Sequence, residues 1–327
     1  GFSVQILATQ YVYEEDSFNN QYDLEAAFPL SVTVTDSESL VEAIANAPVG
    51  APTTILVMEN LAVDSFDDLE APEGTDVTLG IVGTITVTAS NDTLEGIQTL
   101  GAAGYPFAIS GSNVTVKDST FVGGSNTALW LSDYSDTADS VTTIDNCVIE
   151  EYYTLDENGN KVYQSFGNTS GLRAKPNGTV NITNSTINVK GAGFQVGPST
   201  STYSGNLNIN DTYINSQGVS ISTVNSANLT NVTFDYTWYD GAMYIYAGAK
   251  TNTFENCEFK KAVEFKSSNW GNKDVTVEIN NCTFNGVAIT AENVTEYFDF
   301  TESWFNLNGR DNLTLKVNGT TVTLTTD

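Results

Sequence analysis

The sequence predicts an all-β protein built from short strands in repeated coils that stack on one another. Three observations support this prediction, of which the first two are repeats: a six-residue segment recurs without gaps along the chain, and a four-residue apolar segment follows each copy. A third is that 40% of the 327 residues are hydrophobic, which is enough for a sizeable core. Repeated units that cannot bury apolar surface alone must bury it against their neighbours.

The six-residue segment reads apolar, any, Asn or Asp, small, any, large apolar. Its copies are residues 116–121, 144–149, 182–187, 209–214, 229–234, 254–259 and 279–284. Asn and Asp tolerate left-handed backbone and hydrogen-bond to their own turn, so the third position predicts a sharp bend between two strands. These bend residues are Asp118, Asn146, Asn184, Asp211, Asn231, Asn256 and Asn281.

The four-residue segment reads small, apolar, variable, apolar, which is typical of a strand with one face inward. Its copies are residues 128–131, 171–174, 193–196, 218–221, 242–245, 262–265 and 286–289, with an earlier copy at 106–109. Together the two segments predict three short strands and one bend in about every 25 residues.

These repeats resemble the right-handed parallel β-helix of the pectate-lyase-like superfamily, and within it the adhesin-like surface proteins rich in AsnCysThrPhe-type segments. The resemblance covers residues 54–307 and implies a single-stranded right-handed parallel β-helix of about nine or ten coils. That superfamily contains lyases, glycosidases, tailspikes and non-catalytic surface proteins. The resemblance is therefore informative about fold rather than function.

Sequence patterns at the two ends of the chain predict elements that cap the β-helix and belong to the same structural domain. Residues 1–53 are expected to form N-terminal strands and a cap helix, with Thr35 and Glu38 spaced as a capping box. Residues 308–327 are expected to form a C-terminal hairpin that turns at Asn318-Gly319.

Composition excludes several classes of function. The chain has 12 Lys and Arg against 40 Asp and Glu, a net charge of -28, which opposes binding to nucleic acid. It has no histidine, so any catalysis must use carboxylate, Lys, Arg or Tyr side chains. No stretch is apolar for long enough to insert into a membrane. Abundant Thr, Asn and Ser favour an extracellular or cell-surface location, and we expect a monomer.

Two local patterns raise the question of a disulfide or a metal. Cys147, Cys257 and Cys282 share one inward position after the bend, which predicts small buried residues, with a Cys257–Cys282 disulfide as the alternative. Residues 152–166 read as a hairpin that stands beside Arg173. Asp156, Asn158 and Asn160 there have the alternate spacing of a calcium loop, but Gly159 is at the wrong place and no closing glutamate follows. We therefore expect no metal or cofactor, with calcium as the alternative.

The resemblance implies that the outward face of the four-residue strands forms a substrate groove. By position this face carries Trp130, Arg173, Gln195, Ser220, Tyr244, Glu264 and Ala288, with Lys175, Tyr246 and Lys266 one step further along. Exposed aromatic rings suit stacking against sugars. The predicted ligand-binding residues are Trp130, Arg173, Gln195, Tyr244, Tyr246, Glu264, Lys266 and Trp270.

Catalytic candidates on this face are Arg173, Lys175, Tyr244 and Glu264. A lyase acting on a uronate needs a base and a cation that neutralises the carboxylate. A glycosidase needs two carboxylates, and Glu264 would have to find its partner in a loop, at Asp235 or Asp240. The proline-flanked arginine pattern of the pectate lyases is absent, and ArgAlaLysPro at 173–176 matches it only loosely.

Three functions remain open at the level of sequence. The first is a secreted or cell-surface, non-catalytic, adhesin-like protein that binds a polysaccharide or a host glycan or protein. The alternative is a polysaccharide lyase or glycoside hydrolase acting on an acidic polysaccharide. The second alternative is a structural spacer of a larger surface protein.

Overall fold

The bend residues determine how the chain folds back on itself. The computed structural model describes residues 30–101, 104–131, 138–163, 170–174, 177–196, 205–221, 224–266, 274–300 and 312–324. All seven predicted bend residues have left-handed backbone, with φ between 49° and 55°. Gly96 bends the preceding coil with φ of 71°, a copy that the sequence pattern missed because glycine replaces Asn or Asp there.

Hydrogen bonds stack each bend on the next. The backbone N–H of Asn146 donates to the carbonyl of Thr183 in the following coil at 3.1 Å. Side chains add a second contact, since Asn231 Nδ2 donates to Asp211 Oδ1 at 2.9 Å. The bends therefore form a ladder along one edge of the molecule.

Three sheets run the length of the described chain, and their strands are numbered in chain order. Sheet 1, which follows the bend, has in spatial order β1 (Leu30–Val34), β2 (Pro52–Val57), β4 (Asp76–Ile81), β7 (Gln98–Gly101), β10 (Thr120–Gly123), β13 (Val148–Glu150), β18 (Thr186–Asn188), β21 (Tyr213–Asn215), β24 (Thr233–Asp235), β27 (Glu258–Phe259), β30 (Thr283–Phe284) and β31 (Val287–Ala288).

Sheet 2 contains the four-residue segments except the last, at 286–289. It has β3 (Leu61–Val63), β5 (Ile85–Val87), β8 (Phe107–Ile109), β11 (Thr127–Leu131), β16 (Ser170–Ala174), β19 (Ala192–Val196), β22 (Gly218–Ile221), β25 (Met243–Ala247), β28 (Val263–Lys266) and β32 (Phe298–Asp299).

Sheet 3 precedes the bend. It has β34 (Thr320–Val322), β33 (Asn312–Val317), β29 (Asp274–Asn280), β26 (Thr251–Glu255), β23 (Ser226–Thr230), β20 (Asn206–Asn210), β17 (Thr179–Thr183), β12 (Val141–Asp145), β9 (Thr115–Lys117) and β6 (Thr93–Glu95).

Strands of successive coils pair in parallel, so the chain is a single-stranded parallel β-helix as predicted. In sheet 3, for example, Val116 lies opposite Ile144 and Ile144 opposite Ile182. The last residue of each bend segment points inward, and six of these residues are fully buried: Phe121, Ile149, Ile187, Ile214, Phe234 and Phe259. Burying each such side chain contributes about 1.5–3 kcal/mol.

The three cysteines occupy the predicted inward position as buried free thiols. Cys282 Sγ accepts a hydrogen bond from the backbone N–H of Cys257 at 3.3 Å, and Ser185 Oγ accepts one from that of Cys147 at 3.1 Å. Thiol and hydroxyl groups thus play the same packing role. The Cys257–Cys282 disulfide considered as an alternative is not formed.

At the N-terminal end, the helix α1 (Ser37–Ala45) covers the first coils. Its cap is Asp36 rather than Thr35, because Asp36 Oδ1 accepts the N–H of Ser39 at 2.8 Å. Leu40 and Ile44 are buried in the main apolar cluster. A short 3-10 helix, η1 (Asp67–Leu69), follows. No helix in the described chain is long and apolar enough to cross a membrane.

At the C-terminal end, the coil pattern changes. Asn285 and Gly286, with φ of 48° and 79°, turn β31 back antiparallel to β30. The expectation that Ala288 lies on the outward face of sheet 2 is therefore wrong. The helix α2 (Val294–Tyr297) leads to β32, which takes that place. The hairpin of β33 and β34 turns at Asn318-Gly319, as predicted.

The insertion after β13 is a hairpin of β14 (Tyr153–Leu155) and β15 (Lys161–Tyr163). Asp156 closes its loop by accepting the N–H groups of Asn158 and Asn160 at 2.9 and 2.8 Å, and these bonds lower the pKa of its carboxyl. Its carboxylate is thus used within the turn.

Candidate functional site

The outward face of sheet 2 carries one continuous row of side chains, one from each of six coils. Strand register places them directly opposite one another in neighbouring coils. The row is about 24 Å long at ~4.8 Å per coil. We call it the sheet-2 row: Trp130, Arg173, Gln195, Ser220, Tyr246 and Lys266.

Two of the predicted residues lie in a second row, two positions earlier on each strand. Ser220 lies opposite Tyr246, whereas Tyr244 lies opposite Gly218 and Glu264. The predicted alignment of Ser220 with Tyr244 is therefore wrong. The error lies between β22 and β25, where the four-residue pattern aligns Ser220 with Tyr244 but the strands pair Ser220 with Tyr246, two residues further on. Lys175 and Trp270 lie outside the described residues.

One end of the sheet-2 row is a cluster of Tyr105, Trp130 and Arg173. The rings of Tyr105 and Trp130 are 4.7 Å apart between centroids at 37°. Arg173 Nη1 donates to the Tyr105 hydroxyl oxygen at 3.1 Å, and Asn126 Nδ2 donates to the same oxygen at 2.7 Å. Sequence reasoning missed Tyr105 because it lies just before the copy at 106–109, in a turn without a repeat counterpart.

The other end combines two tyrosines with an ion pair. Tyr244 packs over Gly218, where a Cβ would lie 2.4 Å from its ring. Burial raises the pKa of Tyr244, and Tyr246 meets its ring edge-on at 5.3 Å. Glu264 pairs with Lys266 at 2.7 Å, and Lys266 Nζ lies 5.5 Å from the Tyr244 ring centroid. Tyr244 is therefore chiefly a packing residue, and the charges of Glu264 and Lys266 offset each other.

A pocket of about 250 Å³ adjoins this second end. Glu264 and Asp299 lie in its wall on neighbouring strands, directly opposite in register. Asp299 is therefore the neighbouring carboxylate of Glu264, a place where a carboxylate from a loop was expected. Asp235 is on sheet 1, where it accepts the Tyr213 hydroxyl at 3.1 Å, and Asp240 is 4.0 Å from Lys261. The described residues contain no group of three or more His, Cys, Asp or Glu placed to hold a metal.

The aromatic segment 234–240 packs the hairpin onto the β-helix. Trp238 meets Tyr163 edge-on at 4.7 Å and carries Lys190 Nζ 5.4 Å above its ring. The hairpin itself is anchored to Glu150, which accepts from Lys161 Nζ at 2.6 Å and from the Tyr163 hydroxyl. Glu150 ends β13 of sheet 1, and Lys190 and Trp238 lie in the turns after β18 and β24, so these contacts hold the hairpin at the edge of sheet 1. Its position beside Arg173 stays a prediction.

Comparisons with known proteins add little to this geometry. No protein-family model matches the chain, and no curated protein matches it. Among solved structures, the crystal structure of alginate lyase from Paenibacillus sp. str. FPU-7 is similar, at 13% identity and a TM-score of 0.37. The match covers 88% of this chain and 99% of that one. At this level of similarity, the functional argument rests on the residues themselves.

Proposed function

We propose that this protein binds a polysaccharide that lies along the sheet-2 row, parallel to the axis of the β-helix. The observation that carries the proposal is the row itself, a regular line of side chains in which Trp130 and Tyr246 enclose the polar Arg173, Gln195 and Ser220. Trp130 and Tyr246 are four coils apart, about 19 Å, which is long enough for several sugar rings.

The chemistry of the row suits a sugar chain. Rings such as Trp130 and Tyr246 present apolar faces to the faces of pyranose rings, while Gln195 and Ser220 between them offer hydrogen-bond groups to hydroxyls. Both rings are half-buried, so they are held in place and still reach solvent. We infer binding without catalysis as the primary function, at the cell surface or outside the cell.

The test is affinity electrophoresis or calorimetry against a panel of neutral, uronate-containing and sulfated polysaccharides. We expect at least one polysaccharide of the panel to bind. Trp130→Ala or Tyr246→Ala should lower its affinity about tenfold or more, which is a loss of ~1.4 kcal/mol in binding free energy. Tyr239→Ala is the matched control, because Tyr239 is 69% exposed in the loop after β24 and is not one of the residues of the row. Binding that survives both row variants would contradict the proposal.

A second candidate is a polysaccharide lyase centred on Arg173 and Tyr105. The observation that favours it is the 3.1 Å contact between guanidinium and phenol on this face. In β-elimination, a base removes the proton beside the uronate carboxyl group, a carbon–carbon double bond forms, and the glycosidic carbon–oxygen bond breaks as its oxygen takes a proton. Arg173 would neutralise the carboxylate, and Tyr105 would transfer the protons.

The pairing of Arg173 with Tyr244 or Glu264 as acid does not fit one reaction. Tyr244 is three coils from Arg173, about 14 Å, and Glu264 is four coils away, about 19 Å, so neither can serve the same glycosidic bond as Arg173. The candidate lyase predicts an ultraviolet-absorbing unsaturated product that Tyr105→Phe and Arg173→Gln abolish. A uronate panel that is bound but yields no product would leave binding as the function.

A further inference from the structure

We propose that Trp130, Arg173 and Tyr105 form a subsite for an oxyanion, the carboxylate or sulfate group of an acidic glycan. This inference rests on the proposed function, since it names the class of polysaccharide that the sheet-2 row binds. The evidence is an excess of hydrogen-bond donors over acceptors at one end of the row.

Two of these donors are buried and unpaired. Trp130 Nε1 and Arg173 Nε are both removed from solvent, and neither has a hydrogen-bond acceptor among the described residues. A buried donor without an acceptor costs about 1–3 kcal/mol, so two on facing residues are a substantial penalty in the free protein. An acceptor-rich group in contact with both would remove this penalty.

The third donor is the Tyr105 hydroxyl. Its oxygen already accepts from Arg173 Nη1 and Asn126 Nδ2, which leaves its own proton to donate. Three N–H or O–H groups on adjoining side chains are therefore left with a proton to donate. A carboxylate or sulfate has only acceptors, whereas a sugar hydroxyl brings a donor with its acceptors.

The charge of Arg173 also favours an anionic ligand. Lys266, the other cation of the row, is paired with Glu264. Arg173 makes no ion pair within the described chain, although the whole protein carries a net charge of -28. A half-buried guanidinium that stays unpaired in so acidic a protein is available to an anionic ligand. Arg also matches the planar geometry of oxyanions through paired donors.

The first experiment follows the indole N–H resonances of the four Trp residues by NMR. Trp130→Phe identifies the Trp130 signal. We expect it to shift saturably with sodium glucuronate, sodium sulfate or both, and not with methyl glucoside or sodium chloride at matched ionic strength. A shift with glucuronate alone indicates a carboxylate, and one with sulfate alone a sulfate ester. No shift with either anion overturns the subsite.

The second experiment measures affinity for a polyuronate, a sulfated and a neutral polysaccharide. Arg173→Gln should weaken binding of the acidic polymer about tenfold or more, and Trp130→Phe, which keeps a ring but removes the N–H, several-fold. Lys250→Gln removes the same charge at an exposed site off the row, and Trp238→Phe removes another buried unpaired indole N–H. Both controls should bind like the wild type.

The two proposals fail in different ways. Equal binding of neutral and acidic polymers, unaffected by Arg173→Gln, would overturn the oxyanion subsite and leave polysaccharide binding in place. An indole shift with small anions but no polymer binding would overturn the proposed function and leave the subsite in place.

Discussion

At the scale of single residues, buried thiols make the stability of this protein sensitive to alkaline pH. Cys147 is 1% exposed, and burial raises the pKa of its thiol from 9.0 to about 11. The folded protein therefore keeps a proton that the unfolded chain has lost between these values. The stabilisation is complete below pH 9 and is lost as the pH rises towards 11.

We expect the free energy of unfolding to fall by up to about 1.4 kcal/mol per pH unit in this range on account of Cys147. Cys147→Ser should fall less steeply, because a serine does not ionise and already fills this position as Ser119 and Ser185. Urea unfolding of both proteins at a series of pH values measures the difference. Parallel curves would show that Cys147 does not contribute.

Single residues also differ in how far their structural role can be predicted from the sequence. Each bend was predictable because a left-handed Asn or Asp acts locally. Gly96 was missed since glycine meets the same backbone need without matching the pattern. The role of Tyr105 was not predictable, because it depends on which side chains of the next two coils lie beside it.

At the scale of elements, the hairpin of β14 and β15 is held by a buried carboxylate. Glu150 is 5% exposed and accepts from Lys161, Tyr163 and Asn188. Tyr163→Phe should cost about 1–3 kcal/mol, because it removes one of these donors from a buried charge. We expect faster hydrogen exchange in residues 153–163 and little change in sheet 3.

The matched control is Tyr239→Phe, whose ring is 69% exposed and which should change stability by less than about 0.5 kcal/mol. Unchanged exchange in the hairpin of Tyr163→Phe would mean that Lys161 and Trp238 hold it without the phenol.

Element types were predicted better than their pairing. Strands and turns follow from alternation and turn residues, as at Asn318-Gly319. The turn at Asn285-Gly286 carries the same signal, yet the apolar residues after it fitted the repeat, and this led to the misplacement of Ala288. The pairing of β22 with β25 was also missed, because residues 242–245 match the four-residue pattern whereas residues 244–247 are the ones that pair with β22.

At the scale of the whole molecule, like charge dominates the surface. The net charge of -28 means that carboxylates on the surface repel one another. Screening of this repulsion by salt should stabilise the folded protein. We expect Tm to rise with added NaCl up to about 0.15 M, where the screening length falls to roughly 8 Å. Differential scanning calorimetry measures this, with KCl as the control for ion identity. A Tm that falls with salt would contradict it.

Stacking in coils also makes the distance between the two ends of the sheet-2 row a whole number of steps. An added or deleted coil between Gln195 and Ser220 would move the Tyr105 cluster and Tyr246 apart or together by ~4.8 Å while leaving each end intact. The spacing between the two ends of the row can therefore change only in steps of one coil. Ligand length can be retuned by gain or loss of one unit, without redesign of either end.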